Sequence, residues 1–263
     1  MRKVIGIGGM GGSGTRWLEE LLADQGMCTV GPTNESRDNL TFTRLFKDKS
    51  LWGTLSVIEQ RWKWFTALQL GYRIRRRDYR KLYKIFTSHT IEPASRKGTR
   101  AQLWAHFTGK SKPASSNHVP LLFKEPNLQL FAPMLLGFTK DFHYVHLMRN
   151  GAEMACNQNQ QQLHLWGKKV HNIQGTSKRD SLTYWHKTNT TIAQVQELFP
   201  DAVHIIRYED LKAKPEETLR KLMNALDLPF NPTAEYKTRK SATVIDMDGL
   251  GDDAHALLKD FGY

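Results

Sequence analysis

The chain has 263 residues, of which 40% are hydrophobic and 10% aromatic, with a formal net charge of +12 and two cysteines. Such a chain can bury a full core. Cys28 and Cys156 give neither a disulfide framework nor zinc spacing, and no apolar run approaches the roughly 20 residues that span a bilayer. The positive charge points to an anionic partner, but nucleic acid, a phosphorylated nucleotide, an acidic glycan and a membrane surface all satisfy it.

Met1-Arg2-Lys3 leads straight into Val4, Ile5 and Ile7, a short buried strand that leaves no room for a signal peptide. A reducing, cytoplasmic location is therefore expected. The strand breaks into Gly8-Gly9-Met10-Gly11-Gly12-Ser13-Gly14-Thr15-Arg16, and Trp17 to Leu22 begin a helix with apolar spacing. Glycines there let successive backbone N–H groups turn around an anion, and the helix N-terminus adds its positive dipole end. Ser13 and Thr15 add hydroxyls, and Arg16 adds a fixed charge. The loop approaches the Walker pattern, since Gly9 and Gly14 bracket four residues and Thr15 follows, yet the lysine after the last glycine is missing. No later apolar strand ends in an acid suited to magnesium. The loop thus reads as an anion site not built for Mg-ATP, and no metal site is expected.

Met27–Gly31 reads as a second short strand. Leu40 to about Thr90 reads as helical and carries the basic run Arg73 to Lys81, a pattern that most often marks a solvated helix face. Glu92–Asn117 reads as polar loop around an aromatic patch at Trp104–Phe107. Leu121-Leu122-Phe123 is a strand stopping at Lys124-Glu125-Pro126, followed by a helix over Leu128–Phe138. Strand His143–Met148 leads to a helix from Gly151 to about Leu163, then a polar loop over Gly167–Arg179. A helix over Leu182–Leu198, a strand over Ala202–Ile206 and a helix from Pro215 complete the alternation.

Alternating strands and helices predict an α/β fold with a central parallel sheet flanked by helices, in one domain over 1–263 with a mainly helical insertion at about 40–117. Ligands of such sheets bind beyond the strand carboxyl ends, which lines up the glycine loop, Lys124, Arg149 and Arg207.

Four motifs stand in order: Gly-Ser-Gly-Thr-Arg, Phe-Lys-Glu-Pro, His-Leu-Met-Arg-Asn-Gly-Ala-Glu-Met-Ala-Cys-Asn, and Ile-Arg-Tyr-Glu-Asp-Leu-Lys before Pro215. Together they resemble the P-loop sulfotransferases that use 3′-phosphoadenosine-5′-phosphosulfate (PAPS), especially their prokaryotic branch. The resemblance covers the start of the chain and most of 120–228, and leaves Leu40–Asn117 unmatched. It implies transfer of a sulfuryl group from PAPS, without metal, to a hydroxyl or amine, leaving adenosine 3′,5′-bisphosphate. It also implies that Gly11, Gly12, Ser13, Gly14, Thr15 and Arg16 hold the 5′-phosphosulfate. Arg149 matches the arginine that holds the 3′-phosphate, and Asn157 stands where the family has a serine eight residues later.

Gly12 stands where the family's loop carries a basic residue, so Arg16 or Lys124 is expected to supply charge at the bridging oxygen. A basic segment near Lys237 and Arg239 is expected to close over the nucleotide. Among candidate acceptor-side bases, Glu35, Glu125 and His106, Glu35 ranks first because it follows the second strand, where relatives place an acid. Arg207-Tyr208-Glu209-Asp210 reads as structural. The acceptor is unknown; the aromatic and basic makeup of the insertion suggests something bulky or anionic. A P-loop kinase or other NTP-dependent enzyme, and a noncatalytic anion or nucleic-acid binder using Arg73 to Lys81, are the alternatives. Nucleic acid is disfavoured because no recognisable binding module accompanies that run.

Overall fold

A computed structural model describes residues 2–51, 53–88, 95–111, 118–232, 236, 245 and 247–263. Five strands, β1 Val4–Gly9, β2 Cys28–Thr29, β3 Leu121–Lys124, β4 Phe142–Met148 and β5 Val203–Arg207, form one sheet in the order β2-β3-β1-β4-β5. Every pairing is parallel. The register sets Ile7 beside Lys124 and Met148 beside Arg207, so the glycine loop, Lys124, Arg149 and Arg207 share one sheet edge, as the alternation predicts.

Side chains alternate across this sheet with period two. Ile5, Ile7, Leu122, Val145 and Leu147 face α1 Thr15–Asp24 and, through Leu219, Leu222 and Met223, the helix Pro215–Ala225. Phe123, Phe142 and Tyr144 point to the other side, toward Leu128–Leu136 and Lys178–Leu198. Each face is thus covered, which is why β1 is buried along its whole length.

Between β2 and β3 run α2 Leu40–Phe46, α3 Leu55–Leu70, α4 Arg76–Thr87 and α5 Ser95–Phe107. The uninterrupted helical reading of 40–90 breaks at a 3₁₀ turn over Lys49–Leu51 and at Gly71, whose φ of 75° ends α3. Within the polar stretch read as loop, residues 95–107 form α5. Its composition hid the helix because tertiary packing stabilises it: Thr99 and Leu103 are buried, Thr41 donates to Gln102 (2.5 Å), and Tyr79 pairs with His106 Nδ1 (2.6 Å).

Three further boundaries move. The helix expected from Gly151 to Leu163 is two, Gly151–Ala155 and Gln161–His171, the second running into the stretch read as loop. The long helix starts at Lys178 because Ser177 and Asp180 form a reciprocal capping box. A short helix Ala254–Lys259, for which the sequence offered no periodic pattern, packs against it.

Candidate functional site

The glycine loop turns because its backbone must leave the ordinary region of φ. Gly12 has φ 95° and Gly14, the residue preceding α1, has φ 99°. A Cβ on Gly14 would stand 2.8 Å from the Tyr208 ring, and one on Gly12 would collide with the Asn157 side-chain amide. Ser13 donates its N–H to the Met10 carbonyl (3.0 Å), while its hydroxyl is buried without a hydrogen-bond partner among the described residues. Gln162 braces the loop, accepting from the Gly11 N–H (3.0 Å) and donating to the Gly9 carbonyl (3.4 Å). The N–H groups of Thr15 and Arg16 open α1, so they have no earlier helical carbonyl to bond.

Arg149 leaves β4 and reaches back under the loop. Its guanidinium donates to the Gly12 carbonyl (3.0 Å), pairs with Glu153 one helical turn on, and lies 4.7 Å from the Tyr208 ring centroid. Arg149, Asn157 and Gly12 therefore meet at one place. Asn157 is held in turn, its Oδ1 accepting from the Asn159 N–H (2.8 Å).

On the other side, the 34–38 segment closes over the loop. Buried Glu19 of α1 pairs with Arg37, whose φ is 62°, and accepts the Thr29 hydroxyl (2.6 Å). Asn34 accepts from the Asp38 N–H (2.8 Å), and Asn39 caps α2 by accepting from Phe42 N–H (2.9 Å). This frame sets Ser36 against Arg16 (2.9 Å) and Asp38 against Lys124, which is only 3% exposed and ion-paired with it. Glu35 sits exposed on the same turn.

A cavity of about 580 Å³ is lined by Gly11 of the loop and by Ser36, Asp38, Glu125, Asn127 and Gln162 among others, and Arg16 and Lys124 reach its wall through their partners Ser36 and Asp38. Glu125 is 3% exposed; burial, with the negative charge of Asp38 adding to it, pushes its carboxyl up to about 7. A carboxyl raised on folding favours the folded state below its ordinary value of 4.5, and that contribution is lost as pH rises through about 7. Glu125→Gln should therefore flatten the fall in stability across this window, by about 3 kcal/mol between its ends. Chemical denaturation at pH 4.5 and pH 8 measures it; equal pH slopes in both proteins would contradict the burial argument.

A larger cavity, about 910 Å³, opens between α4 and α5 and is lined by aromatic and basic side chains including Tyr79, Arg80, Arg100 and Trp104. It shares no lining residue with the cavity beside the loop. His106 lies on α5, engaged by Tyr79. Lys237 and Arg239 fall outside the described residues. Arg207 donates to the Phe261 and Gly262 carbonyls (both 3.0 Å) and stacks over Tyr263, while Glu209 accepts from the Asn150 N–H (2.9 Å) and the Tyr263 hydroxyl (2.8 Å). That motif clamps the 261–263 segment onto the sheet edge.

The sequence reasoning missed Glu153, Gln162 and Asn127 as site-building residues. Glu153 had a signal, since it follows Arg149 by four on a helix. Gln162 and Asn127 had none, because their partners are remote in sequence or set by a turn.

A family model described as the sulfotransferase family matches residues 5–232. The chain belongs to that family. Among solved structures it is similar to the sulfotransferase domain from the curacin biosynthetic pathway, at 17% identity and a TM-score of 0.55, covering 100% of this chain and 98% of that one. It is also similar to the sulfotransferase domain of the Synechococcus PCC 7002 olefin synthase, at 14% identity and a TM-score of 0.50, covering 100% and 96%. At these identities the likeness shows the fold, a parallel sheet flanked by helices. No protein of curated function matches the chain in sequence. Among the described residues of this sulfotransferase, no helix is long and apolar enough to cross a membrane.

Proposed function

We propose that this chain transfers a sulfuryl group from PAPS to a hydroxyl or amine acceptor, acting as one domain in which 40–117 is an insertion. The observation that carries the reading is the glycine loop itself: its Ser13 hydroxyl is buried without a partner among the described residues, it leads into the first N–H groups of α1, and the two strands flanking β1 bring Lys124 and Arg149 to the same sheet edge. This donor set fits the cosubstrate, because sulfuryl transfer asks mainly for alignment and charge stabilisation. Gly11 to Arg16 would hold the 5′-phosphosulfate, with Arg149 and Asn157 at the 3′-phosphate. The Arg149 guanidinium would exchange its contacts with Glu153 and Gly12 for stronger ones to a phosphate. Lys124, together with Arg16, would stabilise charge on the bridging oxygen. Lys237 and Arg239 remain the proposed cover of the nucleotide. Its proposed location is the cytoplasm, where cysteines such as Cys28 and Cys156, which form no disulfide among the described residues, stay reduced.

Calorimetric titration separates this from a kinase: adenosine 3′,5′-bisphosphate should bind without metal and more tightly than Mg-ATP. Arg149→Ala should weaken the bisphosphate by about 10- to 100-fold, the effect of losing a charge-assisted pair. Unchanged affinity would remove Arg149 from the site, and preference for Mg-ATP would replace the reading.

A further inference from the structure

The cavity between the glycine loop and the 34–38 turn has a chemical character of its own. Its walls are amides, hydroxyls and charged groups, with Pro126 and Leu165 the apolar members and no aromatic ring among its lining residues. The aromatic surface of this protein lies elsewhere, between α4 and α5. Glu125, the residue after β3, lines the cavity and is held rigidly in its wall. Its N–H donates to the Ile7 carbonyl (3.1 Å), and its Oε1 accepts from Asn127 Nδ2 (2.9 Å). Asn127 Oδ1 accepts from Trp166 Nε1 (3.0 Å), which fixes the amide and hence the carboxyl. Glu125 Oε2 is buried and has no partner among the described residues. A fixed carboxyl with one oxygen committed and the other unpartnered has the makings of a proton acceptor.

We propose that Glu125 takes the proton from a hydroxyl of a polyhydroxylated, carbohydrate-like acceptor seated in this cavity. The inference rests on the sulfuryl-transfer reading and deepens it. The acceptor oxygen forms a bond to sulfur as the sulfur–oxygen bond to the 5′-phosphate breaks. The electron pair of that bond leaves with adenosine 3′,5′-bisphosphate, and the hydroxyl proton passes to Glu125 Oε2. Side-chain amides and hydroxyls recognise a sugar through paired donors and acceptors, whereas a phenol would find no ring to stack on. An alkylammonium would meet the positive charges of Lys47 and Lys124, both of which bear on Glu125.

The charged and titratable groups facing Glu125 are Asp38 from the turn before α2, Lys47 after α2, Lys124 on β3 and Tyr144 on β4. Burial and Asp38 raise the carboxyl, so its basic form grows as pH rises through about 7. Glu35, by contrast, stands exposed on its turn.

The test uses the whole chain, ³⁵S-labelled PAPS, and four acceptors: cellobiose, chitobiose, 2-naphthol and hexylamine. Labelled disaccharide is expected, at a single-turnover rate that rises with pH and inflects near 7. Glu125→Gln should lower that rate by about 10²- to 10⁴-fold and abolish the inflection, with affinity for adenosine 3′,5′-bisphosphate kept within about twofold. Glu125→Asp keeps a carboxylate and should retain the inflection at a reduced rate, which serves if the glutamine variant does not fold. A full rate in Glu125→Gln overturns the role of Glu125. Label in naphthol or hexylamine, or in none of the four while the bisphosphate binds, overturns the acceptor class. Failure of the wild-type chain to bind the bisphosphate at all is a different result, and removes the sulfuryl-transfer reading itself.

Discussion

Gly12→Lys, which writes the sulfotransferase loop's usual basic residue into this chain, should destabilise the protein and fail to raise its transfer rate. Two costs combine. At φ 95° any side chain is strained, by about 1–3 kcal/mol. The new Cβ also runs into the Asn157 amide, which is fixed from behind by the Asn159 N–H. The lysine can enter only by displacing Asn157, and Asn157 is the residue proposed at the 3′-phosphate. Adding Asn157→Ala should therefore recover part of the lost stability while weakening adenosine 3′,5′-bisphosphate further. Denaturant melts and bisphosphate titration of the two variants measure both effects. A single variant as stable as the parent, with faster transfer, would show that the loop accepts a basic residue at position 12.

Lys124→Met should cost both stability and rate, and the two losses can be pulled apart. Lys124 is almost fully buried against Asp38, whose side chain keeps about one-fifth of its exposure. Removing one member of a buried pair typically costs about 3–5 kcal/mol, and the lower end applies because Asp38 retains some water. Withdrawing the cation also leaves Asp38 and Glu125 to repel each other, which pushes the Glu125 carboxyl higher still. If Lys124 also stabilises the leaving oxygen, transfer should fall by about 10²- to 10³-fold, in line with other charge-stabilising donors. Asp38→Asn in the same chain should restore much of the stability, since the stranded charge is gone, without restoring the rate. Recovery of both together would mean that Lys124 only holds the 34–38 turn in place.

The residues legible in advance were those whose chemistry is local. Val4 to Arg16 carried its own meaning, because a strand, the five glycines from Gly8 to Gly14 and a helix start specify an anion cradle without help from the rest of the chain. The helix from Pro215 was equally self-contained, with its proline at the first turn and Leu219, Leu222 and Met223 buried as their spacing required. Helix α5 was not legible. Its residues are polar, and its order comes from α2 and α4 packed against it. Glu125 was visible as a candidate beside Lys124, but ranked below Glu35, because the sequence says nothing about which carboxylate is buried.

Pattern and loop chemistry by themselves determined the parallel sheet, its strand order of events along the chain, and the edge on which Lys124, Arg149 and Arg207 stand. These follow from apolar periodicity and from residues at strand ends, both of which are written within a few positions of each other. Only the tertiary structure decided how that edge is wired. It engaged Arg149 with Glu153 and Gly12, Lys124 with Asp38, and Arg207 with the 261–263 segment. Partners such as Asp38 and Lys124 lie 86 positions apart, so their meeting depends on how the chain crosses the sheet. The same is true of Gly12. In sequence it is a missing charge; in the folded chain, Asn157 occupies the space where any side chain would begin.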